Sequence, residues 1–235
     1  MKTKRNHAFT LIELLVVITI TAILASLAVP AFTRMTQIQE NQMKGVNNCK
    51  QIILSLKMFA ADNRSQYSDS VQNPLTGALA QNANDAFRFL IQELIAADIM
   101  ADERTFGCPA GYNPDNNIGK APDYRNALMP GENHWAMTSG QTDTTTGSMP
   151  LVFENPVTNS WPPVWNAGVA GQIQPGRTWP GSQIIIGRND GSVAVETLAG
   201  KKGKARPKIL ADGNDLFTQA SRGIPQRVLQ VVYKK

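Results

Sequence analysis

The chain predicts an α+β protein, with one long N-terminal α-helix packed on a small antiparallel β-sheet head that carries long loops. Three observations predict it. Residues 14 to 32 hold no charge and are almost wholly apolar. Small or apolar side chains then recur every three or four positions to about residue 60, the spacing of one helix face. Beyond that, short runs of strand formers alternate with stretches rich in Gly, Pro, Asn and Thr, which read as strands and turns.

The first element is long enough to cross a bilayer, since about 20 helical residues at roughly 1.5 Å each span the hydrocarbon core. It exceeds the apolar stretch of an ordinary secretory signal. Lys2, Lys4 and Arg5 precede it, and basic residues favour the cytoplasmic side. Met1 is therefore expected inside the cell and the rest of the chain outside.

The helix should continue to about Asp62. Met35, Ile38, Met43, Val46, Cys49, Ile53, Leu56 and Ala60 fall on one face, with Arg34, Gln37, Glu40, Lys44, Asn48, Gln51 and Lys57 on the other. Pro30 should kink or free a turn, and Gly45 is a second weak point. A later helix is expected with Asn84 as its cap and Phe87, Leu90, Ile91, Leu94, Ile95 and Ile99 as its buried face. Strands follow at residues 149–153, at 182–188 and 192–196 across an Asn189-Asp190-Gly191 turn, and at 227–233 as a sheet edge.

At 235 residues with modest charge, the chain has room for one globular head beyond the apolar helix. The net charge of +5 gathers at Lys201, Lys202, Lys204, Arg206 and Lys208. Such a cluster could contact DNA phosphates or anionic lipid, but Gly203 and Pro207 within it favour a solvated loop, and nucleic acid is not a required partner. Cys49 and Cys108 could form a disulfide in an oxidising space or remain two buried free thiols.

No catalytic residue is expected. His7 lies in the basic leader, and His134 belongs to no nucleophile elbow or metal-ligand spacing. No phosphate-binding loop or dinucleotide fingerprint occurs. Trp135, Trp161, Trp165 and Trp179 could stack on sugars or bases, though packing of a loop-rich surface is the stronger reading. Asp212, Asn214 and Asp215 offer closely spaced oxygens that could hold Ca²⁺. They lack the EF-hand spacing, and a turn or helix cap is the alternative, so no other metal or cofactor is expected.

One carboxylate, Glu13, stands at the start of the apolar run, where a charge costs a few kcal/mol and by default marks a function with a partner. Its setting, Ala8-Phe9-Thr10-Leu11-Ile12-Glu13-Leu14-Leu15-Val16-Val17, resembles the processing site of type IV prepilins and type II secretion pseudopilins. The resemblance implies cleavage between Ala8 and Phe9 by a prepilin peptidase and N-methylation of Phe9. This chain has Ala8 where the family usually has Gly.

The resemblance also implies filament assembly through Glu13, which would meet the Phe9 amine of a neighbouring copy, and Pro30 stands where many members carry a proline. It divides the chain into a leader at 1–8, a transmembrane and filament-core helix at 9–32, an amphipathic stem at 33–62 and an extracytoplasmic head at 63–235. Gln51 to Asn63 and Phe106-Gly107-Cys108-Pro109 resemble the stem end and Cys-Pro turn of a pseudopilin subgroup. The 182–196 hairpin resembles the end of the prepilin-associated H-X9-DG module, with Pro180 where that module has His.

The function so implied is that of a structural pseudopilin in the periplasmic filament of a type II secretion system. Its partners would be copies of itself, other pseudopilins, the prepilin peptidase and inner-membrane components of the machine. It would reside in the inner membrane as a single-pass protein with a periplasmic head, and leave the membrane on assembly. A minor pilin of a surface or DNA-uptake pilus is the alternative within the family. A membrane-tethered hydrolase or carbohydrate-binding protein is the alternative outside it.

Overall fold

Helix α1 spans Leu11–Asp62 as one element of 52 residues, matching the end expected from periodicity. The computed structural model describes residues 10–99, 102–171, 173–208 and 213–234, without the side chains of residues 30 and 31. Ala8, Phe9 and Asp212, the leader, and the Pro30 ring therefore lie outside the described residues. The chain forms two compact units, one up to Glu40 and one from Asn41 onward.

In the first unit the apolar side chains of α1 have no core of their own. Leu11, Ile12, Leu14, Leu24 and Leu27 are all more than half exposed. The stretch meets the length and hydropathy of a membrane span and is wholly unburied within the protein.

In the second unit α1 becomes a packing element. Gly45, Cys49, Ile52, Ile53, Leu56, Phe59 and Ala60 are buried, a repeat of three and four that sets one face against the sheet. Met35, Ile38 and Met43, expected on that face, are exposed, because the packed face begins only at Gly45.

The sheet comprises β1 (Trp135–Thr138), β2 (Pro150–Glu154), β4 (Gln183–Arg188), β5 (Val193–Thr197) and β7 (Val228–Leu229) in the order β5-β4-β2-β1-β7, with every pairing antiparallel. The β4–β5 hairpin closes as its sequence predicts. Gly187 faces Val193 in register, and Gly191 takes a φ of +89° while its N–H bonds Arg188 O at 2.9 Å. The 227–233 run supplies β7 at the sheet edge.

Both sheet faces are covered, as alternation along the strands requires when neither faces water. Ile185, Met137 and Leu151 join α1 and α2 in one core. Ile184, Ile186, Phe153 and Ala136 join Trp165 and Phe217 in a second. That second core is roofed by the loop-rich segment after β2, by the short ribbon of β3 (Trp165–Asn166) with β6 (Lys204–Ala205), and by α3 (Leu216–Ala220).

Two glycines set how closely α1 lies on the sheet. A Cβ at Gly187 would sit 2.3 Å from Ile53 Cδ1 and 2.7 Å from Cys49 Sγ, and one at Gly45 would sit 2.8 Å from Ile185 Cδ1. Gly45 is thus a close-approach point between helix and strand rather than a weak point of the helix. Its helix propensity cost, about 1 kcal/mol against Ala, is offset by the contact it permits.

Helix α2 (Ala83–Ala96) carries Phe87, Leu90, Ile91 and Leu94 into the first core. Ile95 is only partly buried against it, and Ile99, expected there too, is 51% exposed. The cap is Asn82, whose side chain accepts from Asp85 N, and not Asn84. Asn84 is buried inside the helix, where Nδ2 donates to Leu128 O at 2.8 Å and Oδ1 accepts from Val232 N at 3.0 Å. It ties α2 to two distant loops.

Candidate functional site

The start of α1 is built as a reciprocal cap. Thr10 N and Thr10 Oγ1 both donate to Glu13 Oε2, at 2.8 and 2.7 Å, while Glu13 N donates to Thr10 Oγ1 at 3.3 Å. This is the Thr-x-x-Glu capping box, in which two otherwise unpaired amides of the first turn are satisfied. The Thr10-x-x-Glu13 spacing is itself the sequence signal of this cap.

Behind the cap, the helix satisfies its own polar side chains. Thr21 donates to Val17 O at 3.0 Å, Ser26 to Ile23 O at 2.7 Å, Thr33 to Val29 O at 2.9 Å and Thr36 to Phe32 O at 2.8 Å; Thr19 bonds Leu15 O in the same way. Hydroxyls folded back onto the preceding turn present methyl and methylene groups outward, which suits a surface without water. From Leu14 to Phe32, Glu13 is thus the nearest charge on the amino-terminal side.

The Prokaryotic N-terminal methylation motif matches residues 3–29, the stretch that runs from the basic leader through Glu13 into the apolar helix. The chain carries the amino-terminal motif of type IV pilin-like proteins. Its amino terminus is that of a prepilin peptidase substrate, and the apolar helix fits a single-pass inner-membrane anchor. The match ends at residue 29, so the likeness of the β4–β5 hairpin to the H-X9-DG module rests on its Asp190-Gly191 turn alone. No curated protein and no solved structure matches the chain.

In the second unit, His134 and the side chains around it are interior. His134 is 1% exposed and Nε2 lies 3.0 Å from Glu154 Oε1. Glu154, itself fully buried, also accepts from Trp179 Nε1 at 2.9 Å and from Ile185 N at 3.0 Å. Cys108 completes the group, its sulfur, a His134 nitrogen and a Glu154 oxygen lying within 4.8 Å of one another.

Burial opposes protonation of His134, but Cys108 and Glu154 outweigh it and lift its pKa to about 9. The assembly reads as a structural ion pair through Nε2 of His134, while Nδ1 is buried without a hydrogen-bond partner. Sequence reasoning missed it because Cys108, His134 and Glu154 meet only once β1 and β2 pair in register.

The cysteines are two free buried thiols in this structure, rather than the disulfide that was one of the two expectations. They serve different neighbours. Cys49 Sγ points from α1 to Val152 O at 3.6 Å, while Cys108 belongs to the His134 group. Burial, then the Glu154 charge, raises the Cys49 pKa well above the ordinary thiol value, which keeps it protonated and unreactive.

The tryptophans do not form a stacking platform. Trp135, Trp165 and Trp179 are buried and Trp161 packs partly buried on Phe217; Arg177 Cζ covers the Trp179 ring at 4.7 Å. Lys201, Lys202, Lys204, Arg206 and Lys208 are exposed, consistent with a solvated loop. Of the calcium candidates, Asp215 caps α3 by accepting from Thr218 N at 2.9 Å and meets Arg206 at 3.4 Å, the helix-cap alternative of the sequence reading. Asn214 lies just before it.

Proposed function

We propose that this pilin-like protein is a structural pseudopilin, cut between Ala8 and Phe9 and assembled into a periplasmic filament of a type II secretion system. The observation that carries the reading is the joining of the methylation motif, residues 3–29, to an apolar helix whose side chains are left uncovered by the described residues. A surface of that size has to be covered by lipid or by other helices. Release of the leader would leave a charged Phe9 amine, and Glu13 of an adjacent copy would neutralise it in a dry bundle.

The protein would act as a substrate of the peptidase and a subunit of the filament, not as an enzyme. That reading is supported by His134, the only histidine beyond the leader, being held in an interior ion pair. The burial of the tryptophans favours the secretion filament over a head built to grip DNA or sugars.

Mass spectrometry of the native protein tests the processing step, with an N-methylated Phe9 terminus expected and a Met1 terminus overturning it. Deleting the gene tests the machine. Loss of protein export with intact twitching and DNA uptake is expected, and the opposite pattern would assign the subunit to a surface pilus.

A further inference from the structure

The segment from 102 to 134 crosses from α2 to β1 with only one short 3₁₀ turn, Arg104–Phe106, among its described residues. Three carboxylates converge within it. Glu103, Asp115 and Glu132 each place an oxygen within 4.8 Å of the other two.

Glu103 is 0% exposed. Its Oε2 accepts from Leu128 N at 2.7 Å, but its Oε1 is buried and has no hydrogen-bond partner. Glu132 Oε2 accepts from Met129 N at 2.6 Å. Among the described residues none of the three carboxylates makes an ion pair; Arg104 turns to Asp102 and Arg125 to Asp123.

A buried carboxylate oxygen without a donor, beside two further acids, is expensive unless a cation or a proton compensates it. The strain is visible in the acids themselves. Burial, then the Glu132 and Asp115 charges, push the Glu103 pKa up against the pull of the Leu128 and Asn116 amides, and burial likewise raises that of Glu132 against the Met129 and Asp115 amides. Lys234 is the cation that acts on the group, and it acts on Glu132.

We infer that Glu103, Asp115 and Glu132 form a calcium site that fastens the 102–134 loop of the head. The chemistry selects the ion. The donors are all hard oxygens, which excludes a preference for thiophilic metals. Three carboxylates on an irregular loop suit Ca²⁺, which takes six to eight oxygens in flexible geometry, whereas Mg²⁺ demands a near-ideal octahedron and keeps most of its waters. The exposed Asp115 and half-buried Glu132 leave one side open to water, which fills the remaining places in a seven- or eight-coordinate shell. This site is separate from Asp212, Asn214 and Asp215.

The test uses the full chain in detergent, stripped with EDTA and titrated with Ca²⁺ or Mg²⁺ while thermal unfolding and heat of binding are followed. Ca²⁺ should raise the unfolding temperature and Mg²⁺ should not match it. Asp115→Asn and Glu132→Gln, with their folding checked by circular dichroism, should each weaken Ca²⁺ binding by at least about ten-fold, whereas Asp215→Asn should leave it unchanged. The assignment fails if the native chain shows no Ca²⁺ response, if Mg²⁺ responds equally, or if the response persists in the Asp115→Asn/Glu132→Gln double variant. None of these results bears on the amino-terminal processing.

Discussion

Raising the pH from 6.5 to 9 should unfold the head more readily, through His134. Its pKa stands at 6.5 in the free residue and about 9 in the folded chain. A group whose folded pKa is raised stabilises the fold fully below the unfolded value, and that stabilisation is lost as pH climbs through the folded one. A shift of that size corresponds to about 3 kcal/mol, or roughly 6–12 °C in unfolding temperature for a domain of this size. Circular dichroism melts at half-unit pH steps, in constant salt, would read it directly. Glu154→Gln should lower stability at pH 6.5 by about 3–5 kcal/mol, as removal of one partner of a buried pair does, and should flatten the pH profile. A wild-type melting temperature that is flat or rising between pH 6.5 and 9, or a Glu154→Gln profile as steep as the native one, would refute the reasoning.

Gly187→Ala should destabilise the head by about 1–3 kcal/mol, because the new methyl meets Ile53 and Cys49 well inside contact distance; chemical denaturation checks it. Asn82→Ala should cost about 1 kcal/mol through the lost cap, whereas Asn84→Ala should cost more, since it strands the part-buried Val232 N and leaves Leu128 O only the longer bond from Arg88 Nη2 at 3.3 Å. Glu13→Ala should leave head stability unchanged and abolish assembly in a cross-linking assay on native membranes, while Glu13→Gln, which keeps an acceptor for Thr10 but no charge, should separate capping from neutralisation by failing to assemble.

Elements governed by neighbours in sequence were legible before folding, and those governed by the meeting of distant strands were not. The end of α1 at Asp62 follows from its apolar repeat, and the β4–β5 hairpin follows from Asp190-Gly191, because both depend on local backbone preference. Asn82 and Asn84 are the same residue type two positions apart, and only the path of the preceding chain decides which one caps. Gly45 looks like a helix defect until Ile185 arrives across from it. Asn189 reads as a turn residue, yet its side chain accepts from Tyr67 OH at 2.7 Å and donates to Thr145 O at 2.7 Å. The amino-terminal motif was legible because recognition by a processing enzyme acts on the linear chain. The carboxylate group at Glu103 was invisible because its members stand 12 and 17 positions apart along an irregular loop.

The pair of glycines at positions 45 and 187 has a mechanical meaning. Each leaves a notch that a larger side chain opposite occupies, Ile185 in one direction, Ile53 and Cys49 in the other, so the helix from Asn41 onward is keyed to β4 and cannot slide a turn without a steric collision. Tension or compression carried along that segment therefore enters the sheet as a unit, and a push on the stem displaces the head instead of shearing it loose.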